Sequence, residues 1–424
     1  MATSLPTVSR NIALATGGLS LDARIDELTS ACTASCAPIP YGRNWGTSHL
    51  QARQGFVEDT LGVSIKAVKG DAPDPDPVSL RGTVEQQIGW ARIPLGLAGP
   101  LRVMGSAFVD EVCLPLATSE GALVASIDRG ARALTLSGGV CSICLSSGIQ
   151  RAPSFLFQDI HEALRFLAWV DIHSKELEES IHSVSRHSVL QEIRPNLDGN
   201  LVTLILEFTT GDAAGQNMVT VCADAICRYL SAHCPVRPRR WFIEGNLSGD
   251  KRATTLSLQR VRGHKVVAEA VLPASVLHGV LGTDQERMMD YWKVAAINGI
   301  HSGSVGVQGH FANPLAALFC ACGQDIACVA EAAVGVTRFE ERPDGALYAS
   351  VTLPSLVVGT VGGGTRLPTA QESLAILGCA GEGKVVRFAE ICAGAVLAGE
   401  LSMLAALSSG DFARAHALFG RKVR

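Results

Sequence analysis

A long apolar stretch near the C-terminal end, Phe388–Leu407, most constrains how this chain can fold. A bilayer-spanning helix requires about 20 consecutive apolar residues, and this stretch is nearly that long. However, it carries Glu390 and Glu400 and is interrupted by Gly394 and Gly399. Acidic groups and helix-weakening glycines argue against a membrane segment. We therefore predict a helix buried in a globular core, and no membrane span.

The size and composition of the chain indicate a globular enzyme. Its 424 residues are enough for two or three domains around a large core. Apolar residues make up 47% of the chain and charged residues 18%, which excludes an intrinsically disordered protein. A formal net charge of −4 gives no reason to expect nucleic acid as a partner.

The cysteines and the N-terminus bear on location. The N-terminus lacks the basic start and the continuous apolar run of a signal peptide. Thirteen cysteines, many of them within apolar helical patterns, are typical of reduced core residues in an intracellular protein. Cys141 and Cys144 form a single CxxC without a second pair, which is weak evidence for zinc. We expect a cytoplasmic protein without a metal site.

An acidic residue stands at the start of a predicted helix. The pattern predicts a strand at Val109–Leu116, followed by a helix over Ala117–Leu134 with Thr118 or Ser119 as its N-cap. Glu120 then falls in the first helical turn, where an acid ordinarily complements the helix dipole. A catalytic role for this carboxyl depends on which polar residues the fold brings beside it.

A strand, a glycine turn and a helix follow one another in the middle of the chain. Leu201–Phe208 is a predicted strand, Gly211–Asn217 is the turn, and a helical stripe begins at Met218. This arrangement directs backbone N–H groups and a helix N-terminus at an anion. The turn lacks the GxGxxG and P-loop spacings. A dinucleotide site of another type and a plain structural turn both stay open.

The remaining predicted elements are long or glycine-bounded segments. They are a helix at Ile160–His173, a hairpin of Thr254–Arg260 with Lys265–Leu272, long helices at Pro314–Val334 and Arg387–Leu407, and a strand ending in glycines at Ser355–Gly364.

Three polar residues in unusual surroundings are candidates for catalysis. Lys251 lies in a Gly/Ser loop, and a lysine held against a developing oxyanion is a common electrophile. Asp325 stands in an apolar run, where a buried carboxylate needs a partner. His416 lies in the C-terminal tail, from which a closing segment delivers a general acid. The ordinary interpretations are a solvated lysine, an acid exposed at a helix end and a surface histidine.

Six segments and a tail carry a resemblance to a known family. In chain order they are SEGALVASIDRGARAL, GIQRAP, GDAAGQNMV, GNLSGDKR, ANPLAALFCACGQD and VGTVGGGTRLP, followed by AGELSMLAALSSG and a histidine. From about residue 80 to the end, the chain resembles the catalytic portion of the 3-hydroxy-3-methylglutaryl-CoA reductases. Ser185, Arg186 and the ending His416…Arg421 make it similar to the NADPH-using class rather than the bacterial NADH class.

The resemblance implies an activity and four catalytic residues. Members of the family reduce a hydroxymethylglutaryl thioester to mevalonate in four electrons, with two NADPH molecules, at the head of isoprenoid and sterol synthesis. By this resemblance, Glu120 donates a proton to the carbonyl oxygen and Lys251 stabilises the oxyanion. Asp325 holds both in one proton network, and His416 protonates the departing CoA thiolate.

The resemblance also implies two sets of binding residues. Positions that match substrate-contacting or supporting residues are Ser126, Asp128, Arg129, Arg151, Asn246, Asp250, Arg252, Lys293 and Asn313. Positions that match the cofactor-binding stretches are Ser185, Arg186, Asp212, Ala214, Gly215, Gln216, Asn217, Gly362, Gly363 and Arg421.

The implied fold is of the α+β class. A large substrate-binding domain, residues 84–151 and 251–424, would surround a long central helix. A small ferredoxin-like NADP-binding domain, residues 152–250, would be inserted into it, and residues 1–83 would form an N-terminal arm or cap. A homodimer with active sites at the subunit interface would be the minimum active unit, and a homotetramer is common.

The chain departs from the family pattern at several positions. Glu244 replaces a family serine and Asp128 an asparagine, and both add negative charge near an anionic substrate. The dimer signature is altered at Glu85–Gly89, and Gly420–Lys422 lacks a regulatory serine. These changes leave open a reductase of a different acyl-CoA, and a non-catalytic paralogue that binds CoA esters.

Overall fold

The computed structural model describes residues 44–413 without a gap, together with residues 9, 13, 20, 22, 23, 37–40 and 42. Its strands are β1 (Leu95–Met104), β2 (Val109–Ala117), β3 (Val140–Arg151), β4 (Ser154–Leu156), β5 (Val189–Asp198), β6 (Leu201–Thr209), β7 (Arg240–Phe242), β8 (Gly263–Leu272), β9 (Gly306–Val307), β10 (Gly335–Glu341) and β11 (Leu347–Leu356).

Thirteen α-helices lie in the described part of the chain. They are α1 (Thr47–Gly55), α2 (Lys66–Lys69), α3 (Leu123–Leu136), α4 (Ile160–Ile172), α5 (Ser174–His182), α6 (Gln216–His233), α7 (Leu256–Gln259), α8 (Ala274–Val276), α9 (Gln285–His301), α10 (Ala312–Ala321), α11 (Val329–Ala332), α12 (Pro368–Ile376) and α13 (Val385–Ser408). Shorter 3₁₀ turns lie at Pro77–Leu80, Ile326–Cys328 and Gly363–Arg366, and π-helical turns at Phe56–Thr60 and Leu277–Leu281. The predicted α+β class is confirmed.

Strand β3 joins the two parts of an 11-stranded sheet. In the larger part, β3 pairs antiparallel with β8, and the order continues through β11, β10 and β9. β1 pairs with β2 and, in parallel, with β3. In the smaller part the strand order is β7-β4-β6-β5, with antiparallel pairing throughout. The element order there, strand–helices–strand–strand–helix–strand, corresponds to the β-α-β-β-α-β arrangement.

The apolar stretch that the sequence singles out forms the centre of the fold. Helix α13 packs against α3 and against strands β3, β8 and β11. It is long and apolar enough to cross a membrane, but 83% of its most apolar window is buried inside the protein. At the crossing with α3, a Cβ on Gly130 would lie 1.8 Å from the Ala398 carbonyl oxygen. Only glycine permits this approach, and the predicted buried core helix is confirmed.

The start of helix α3 differs from the prediction. The helix begins at Leu123 rather than near Ala117, because Ala122 adopts a left-handed conformation with φ of 71°. Thr118 caps the preceding turn, since its Oγ1 accepts the Glu120 N–H at 2.9 Å. Glu120 therefore precedes the helix instead of lying in its first turn, and its backbone is fixed by a turn.

Three further elements are shorter than predicted or different in kind. Residues 254–260 contain helix α7 rather than a strand, so the predicted hairpin is wrong, and β8 pairs with β3 and β11 instead. The helix predicted over Pro314–Val334 ends at Ala321. Gly323 (φ of 64°) follows, where a Cβ would lie 2.3 Å from the Gly364 carbonyl oxygen. The strand predicted to Gly364 ends at Leu356.

Candidate active site

The predicted lysine and aspartate form an ion pair. Lys251 lies in the loop after β7, and Asp325 is the N-cap of the turn Ile326–Cys328. The Lys251 Nζ donates to Asp325 Oδ2 at 2.8 Å, and both side chains are partly exposed, at 44% and 40%. The hydrogen bond to Asp325 raises the pKa of Lys251, so the ammonium stays charged at neutral pH. We call these two residues the lysine half-site.

The backbone of Lys251 is held from the opposite side. Its φ is 53°, a left-handed conformation that is uncommon for a lysine. Its N–H donates to the Oε2 atom of Glu331 at 2.6 Å. Glu331 lies on helix α11 with a relative exposure of 0%, and Arg262 Nε also donates to its Oε2 at 3.1 Å. Burial raises the pKa of Glu331, and the nearby Arg262 offsets part of that effect.

Two arginines hold the residue next to the lysine. Arg151 NH1 donates to Asp250 Oδ2 at 2.7 Å, and Arg262 NH2 donates to Asp250 Oδ1 at 2.6 Å. Although burial alone raises the pKa of Asp250, the two arginines bring it below its usual value. Arg151 also donates to Thr220 on helix α6. The loop that carries Lys251 is therefore fixed to the small sheet and to helix α6.

The predicted glutamate meets an asparagine. Asn313 Nδ2 donates to Glu120 Oε1 at 3.1 Å. Asn313 stands at the start of helix α10, directly after the loop that contains His310. The Glu400 carboxylate holds this loop, because Oε2 accepts the Gly309 N–H and Oε1 accepts the His310 N–H, at 2.8 and 2.7 Å. We call Glu120 and Asn313 the glutamate half-site.

The two half-sites lie at opposite ends of helix α10. Asn313 is near its first residue, and Asp325 follows its last residue, Ala321. The rise of an α-helix separates Asn313 from Ala321 by about 12 Å along the axis. In the described part of the chain, no hydrogen bond or ion pair joins the half-sites. The structure thus pairs Lys251 with Asp325, while Glu120 contacts Asn313.

Glu244, the acid at the position of a family serine, turns toward backbone donors. Its Oε1 accepts the Asn246 N–H at 2.8 Å, and its Oε2 accepts the Ala152 N–H at 3.3 Å. The same carboxylate lies 3.7 Å from Arg151 NH1. Asn246 adopts a φ of 64° beside it. The extra negative charge is therefore partly neutralised inside this loop.

The glycine turn before α6, Gly211–Asn217, contacts the glycine-rich end of the segment Ser355–Gly364. The Asp212 carboxylate accepts the N–H groups of Gly383, Lys384 and Val385 and so caps helix α13. Ala213 forms a parallel bridge with Val361. Gln216 Nε2 lies 3.5 Å from Asp325 Oδ2. The turn and the loop thus form one surface next to the lysine half-site.

Several predicted cofactor residues leave room for a ligand. Gly215 (φ of 76°) directly precedes the 18-residue helix α6. A Cβ at Gly362 or Gly363 would meet no atom within 4 Å, so these glycines border open space. A helix N-terminus beside an open glycine loop fits the phosphates of a dinucleotide. The other predicted positions described are Ala214 and Ser185, which are partly buried, and Arg186 and Asn217, which are exposed. His416 and Arg421 lie outside the described residues.

The predicted substrate residues on helix α3 are partly buried, and their hydrogen bonds reach the core helix α13 and strand β1. Ser126 Oγ and Arg129 Nε both donate to Ser402 Oγ at 3.0 Å. Asp128 Oδ1 accepts the Gly99 N–H at 3.1 Å. The remaining two positions are exposed: Lys293 lies 3.6 Å from Asp290, and Arg252 lies beside the lysine half-site.

Four residues of these networks escaped the sequence analysis: Arg262, His310, Glu331 and Glu400 in its positioning role. Glu400 carried a signal, as an acid in an apolar helix, but nothing in the pattern indicated its partners. Glu331 lies 80 residues from the Lys251 backbone that it holds, so no local spacing could reveal the contact. No group of metal-ligating side chains was found in the described part of the chain.

Comparison with known families gives one match that spans most of the chain. Residues 49–421 match the model of the hydroxymethylglutaryl-coenzyme A reductases. The match begins earlier than the resemblance noted from about residue 80, and so includes helix α2 and most of helix α1.

Similar proteins come from archaea and from a eukaryote. The chain is 43% identical to a protein of Aeropyrum pernix named 3-hydroxy-3-methylglutaryl-coenzyme A reductase, over 87% of this chain and 89% of that protein. It is 36% identical to reductase 1 of Dictyostelium discoideum over 88% of this chain and 68% of that one. The fold is similar to a Streptococcus pneumoniae class II reductase bound to NADPH, with a TM-score of 0.67 at 17% identity, covering 84% and 96% of the two chains.

Proposed function

Because this chain belongs to the hydroxymethylglutaryl-coenzyme A reductase family, we propose that it reduces 3-hydroxy-3-methylglutaryl-CoA to mevalonate and CoA with NADPH. The observation that carries the proposal is the Lys251–Asp325 ion pair beside the paired glycine turns. It places a permanent cation next to a surface suited to a dinucleotide. The A. pernix and D. discoideum proteins bear the name of this activity, which supports the same reaction here.

Lys251 suits the demands of thioester reduction. Negative charge develops on the carbonyl oxygen when hydride adds to the thioester, and again when it adds to the aldehyde. A cation held in place before the reaction stabilises that charge without reorganisation. Because its pKa is raised, Lys251 remains an ammonium through both steps. Asp325 orients Nζ, and NADPH supplies the hydride when it is bound.

Glu120 is the proposed proton donor to the carbonyl oxygen at the aldehyde stage. Asn313 orients its carboxyl through the hydrogen bond to Oε1. His416 is proposed to protonate the departing thiolate; it lies outside the described residues, and its role rests on the family resemblance alone. The three roles together balance the charges, since the alkoxide receives a proton and the CoA leaves as a thiol.

We propose a homodimer, and beyond it a tetramer, because the two half-sites in one chain are separated by helix α10. A two-fold arrangement can bring the lysine half-site of one copy to the glutamate half-site of another. Val294, Ile297 and Ile300 support this idea, since they form an exposed apolar stripe on helix α9. Their spacing places them on one face of the helix.

The cofactor would occupy the small-domain side of the site. In this proposal the N-terminus of α6, with Gly215, and the loop at Gly362 and Gly363 hold the phosphates. Arg186 is a suitable partner for a ribose phosphate because it is exposed and permanently charged. Residues 152–250 then act as the cofactor domain, residues 84–151 and 251–424 as the substrate domain, and residues 1–83 as an arm. A cytoplasmic location stays a prediction.

A second function in the same class concerns the acyl group. Glu244 lies 3.7 Å from Arg151, so it competes with a substrate carboxylate for that guanidinium. This observation favours a less acidic acyl-CoA as the alternative substrate. A panel of acyl-CoA thioesters, assayed with the same enzyme, separates the two possibilities by kcat/KM.

The proposed function is tested by following NADPH absorbance with the purified full chain and hydroxymethylglutaryl-CoA. We expect NADPH consumption that depends on the thioester and yields mevalonate, with NADH as the poorer donor. Lys251→Ala should lower turnover about 10³-fold but still bind NADPH. Lys69→Ala is the matched control, because Lys69 pairs with acids, Glu58 and Asp71, that belong to neither half-site. Absence of turnover by a folded wild-type protein contradicts the proposal.

A further inference from the structure

A buried acid that the proposed reaction does not use lies directly beneath the lysine half-site. Glu331 is fully buried on the short helix α11. Its Oε2 accepts two hydrogen bonds, from the Lys251 backbone and from Arg262. Its Oε1 has no hydrogen-bond partner among the described residues. A buried carboxylate oxygen without a hydrogen-bond partner costs folding free energy. The contacts of the other oxygen, Oε2, therefore indicate what Glu331 does.

The contact is at the most unusual point of the lysine loop. Lys251 has a φ of 53°, a conformation that a lysine adopts at an energetic cost. Such a residue persists only where the surroundings hold it in place. The N–H of Lys251 points into the protein and meets Glu331 at 2.6 Å. This bond fixes the backbone in the strained conformation.

Asp325 and Glu331 hold Lys251 at two points from one segment. Asp325 begins the turn Ile326–Cys328, and helix α11 follows it directly and carries Glu331. Asp325 binds the side-chain Nζ, and Glu331 binds the backbone N–H. Two attachments at opposite ends of the side chain determine where the ammonium lies.

We propose that Glu331 is a positioning residue for the oxyanion-stabilising Lys251, acting through the Lys251 backbone N–H. Arg262 supports it, because this arginine joins Glu331 to Asp250 on the same loop. The inference rests on the proposed reductase function and deepens it. Glu331 is fully buried and bonds the Lys251 backbone rather than Nζ, so it is not a catalytic residue.

The size of the effect follows from how strictly catalysis depends on placement. A displacement of about 1 Å in a reacting group costs on the order of 10²-fold in rate. Without its acceptor, Lys251 is free to leave the left-handed conformation, and Nζ moves with it. The decrease in rate should appear in kcat, since the negative charge that Lys251 stabilises develops only in the transition state. KM should change little.

The experiment compares three substitutions at Glu331 in the full-length enzyme. Glu331→Leu keeps the approximate volume and removes the acceptor, and we expect kcat to fall about 100-fold with KM within about 3-fold. Glu331→Gln keeps an acceptor oxygen and should recover most of the activity. Glu331→Asp withdraws the acceptor by one methylene and should fall between them. Mevaldehyde reduction should decline by the same factor, because Lys251 serves both steps.

The matched control is another acid that holds backbone N–H groups of a distant segment. Glu372 accepts the N–H groups of Ala67 and Val68 at 2.8 Å on the arm, and neither bond involves a half-site residue. Glu372→Leu should lower the melting temperature without reducing kcat. If Glu331→Leu fails to fold, the Asp variant carries the comparison.

A second readout does not depend on the reaction. Hydrogen–deuterium exchange of the Lys251 amide should be slow in wild type and the Gln variant, and fast in the Leu or Asp variant. If wild type does not reduce the thioester, the proposed function fails, while the exchange result still tests the backbone contact. Wild-type kcat in a folded Leu or Asp variant, or unchanged exchange at Lys251, overturns the inference.

Discussion

Two buried acids support the two half-sites in different ways. Glu400, beneath the glutamate half-site, accepts four hydrogen bonds, from Gly309 N, from His310 N and Nδ1, and from Thr337 Oγ1. Burial alone raises the pKa of Glu400, but these bonds bring it below its usual value. Glu331, beneath the lysine half-site, has two donors and one oxygen without a described partner, and its pKa is raised by burial.

The difference indicates different purposes. A fully bonded buried carboxylate stabilises the structure around it, so Glu400 anchors the loop of His310 to helix α13. A buried carboxylate with one unpartnered oxygen recovers less of its desolvation cost, so the Glu331–Arg262 ion pair stabilises the fold less than the complete set of bonds at Glu400. Glu331 is instead placed where a strained backbone requires an acceptor. We therefore expect substitutions at Glu400 to affect stability first, and substitutions at Glu331 to affect kcat first.

The largest effect should come from removing the lysine itself. Lys251→Ala is expected to lower kcat by about 10³-fold in both hydride steps, as for the loss of an oxyanion donor. NADPH binding, measured by fluorescence titration, should be retained. A loss confined to one of the two hydride steps would assign the oxyanion role in the other step to a different residue. The distinction between the two half-sites would then be wrong.

The next effect concerns the stability supplied by Glu400. Glu400→Gln should lower the free energy of unfolding by about 3 kcal/mol, since it breaks a buried charged network. Because the folded pKa of Glu400 is depressed, its stabilising contribution is present above the unfolded value and lost as pH falls through the folded one. Denaturant unfolding at several pH values measures both. Unchanged stability would remove the proposed difference from Glu331.

A third buried acid, Glu390, lies on helix α13 and gives the opposite pH dependence of stability. Glu390 accepts the N–H groups of Ser106 and Cys144, and burial raises its pKa from 4.5 to about 7. Its contribution to the free energy of unfolding is therefore complete below pH 4.5 and is lost as the pH rises through about 7. Since one pKa unit corresponds to about 1.4 kcal/mol, the loss is up to about 3 kcal/mol. Glu390→Gln should remove this slope, and a slope that persists would assign it to another group.

The smallest effect should be at the departure from the family pattern. Glu244→Ser removes an acid 3.7 Å from Arg151, and we expect KM for hydroxymethylglutaryl-CoA to fall about 3-fold, with kcat little changed, as for a single partly exposed ion pair. The substrate panel provides the control, because thioesters without a second carboxylate should not gain. An increase in KM would mean that the acid orders the loop rather than repelling substrate.

The features predicted from the sequence are those that local patterns determine. The central helix, the strand β2, the strand β6 and helix α4 follow from apolar periodicity, and the structure confirms them at nearly the predicted bounds. The Lys251–Asp325 pairing follows from the family resemblance. The helix break at Gly323 was missed, because an apolar run around a glycine reads as a continuous helix until the close contact with Gly364 is known.

Distant backbone contacts were beyond the reach of sequence patterns. The acceptor for the Lys251 N–H and the left-handed φ at that residue depend on packing between segments that lie 80 residues apart. Asp212, predicted as a cofactor contact, also caps helix α13, and this is visible only when the glycine turn and the start of that helix are packed together. Composition and periodicity describe single elements, whereas these interactions arise from how elements are assembled.

Mixing two inactive variants tests most directly whether one active site combines half-sites of two copies. Lys251→Ala and Glu120→Gln are each expected to be inactive alone. After unfolding and refolding together, half of the dimers should be mixed, and each mixed dimer should contain one intact site of two. Activity should return to about a quarter of wild type in a two-fold dimer. No recovery, with mixed dimers demonstrated, would mean that Lys251 and Glu120 of the same chain serve one substrate.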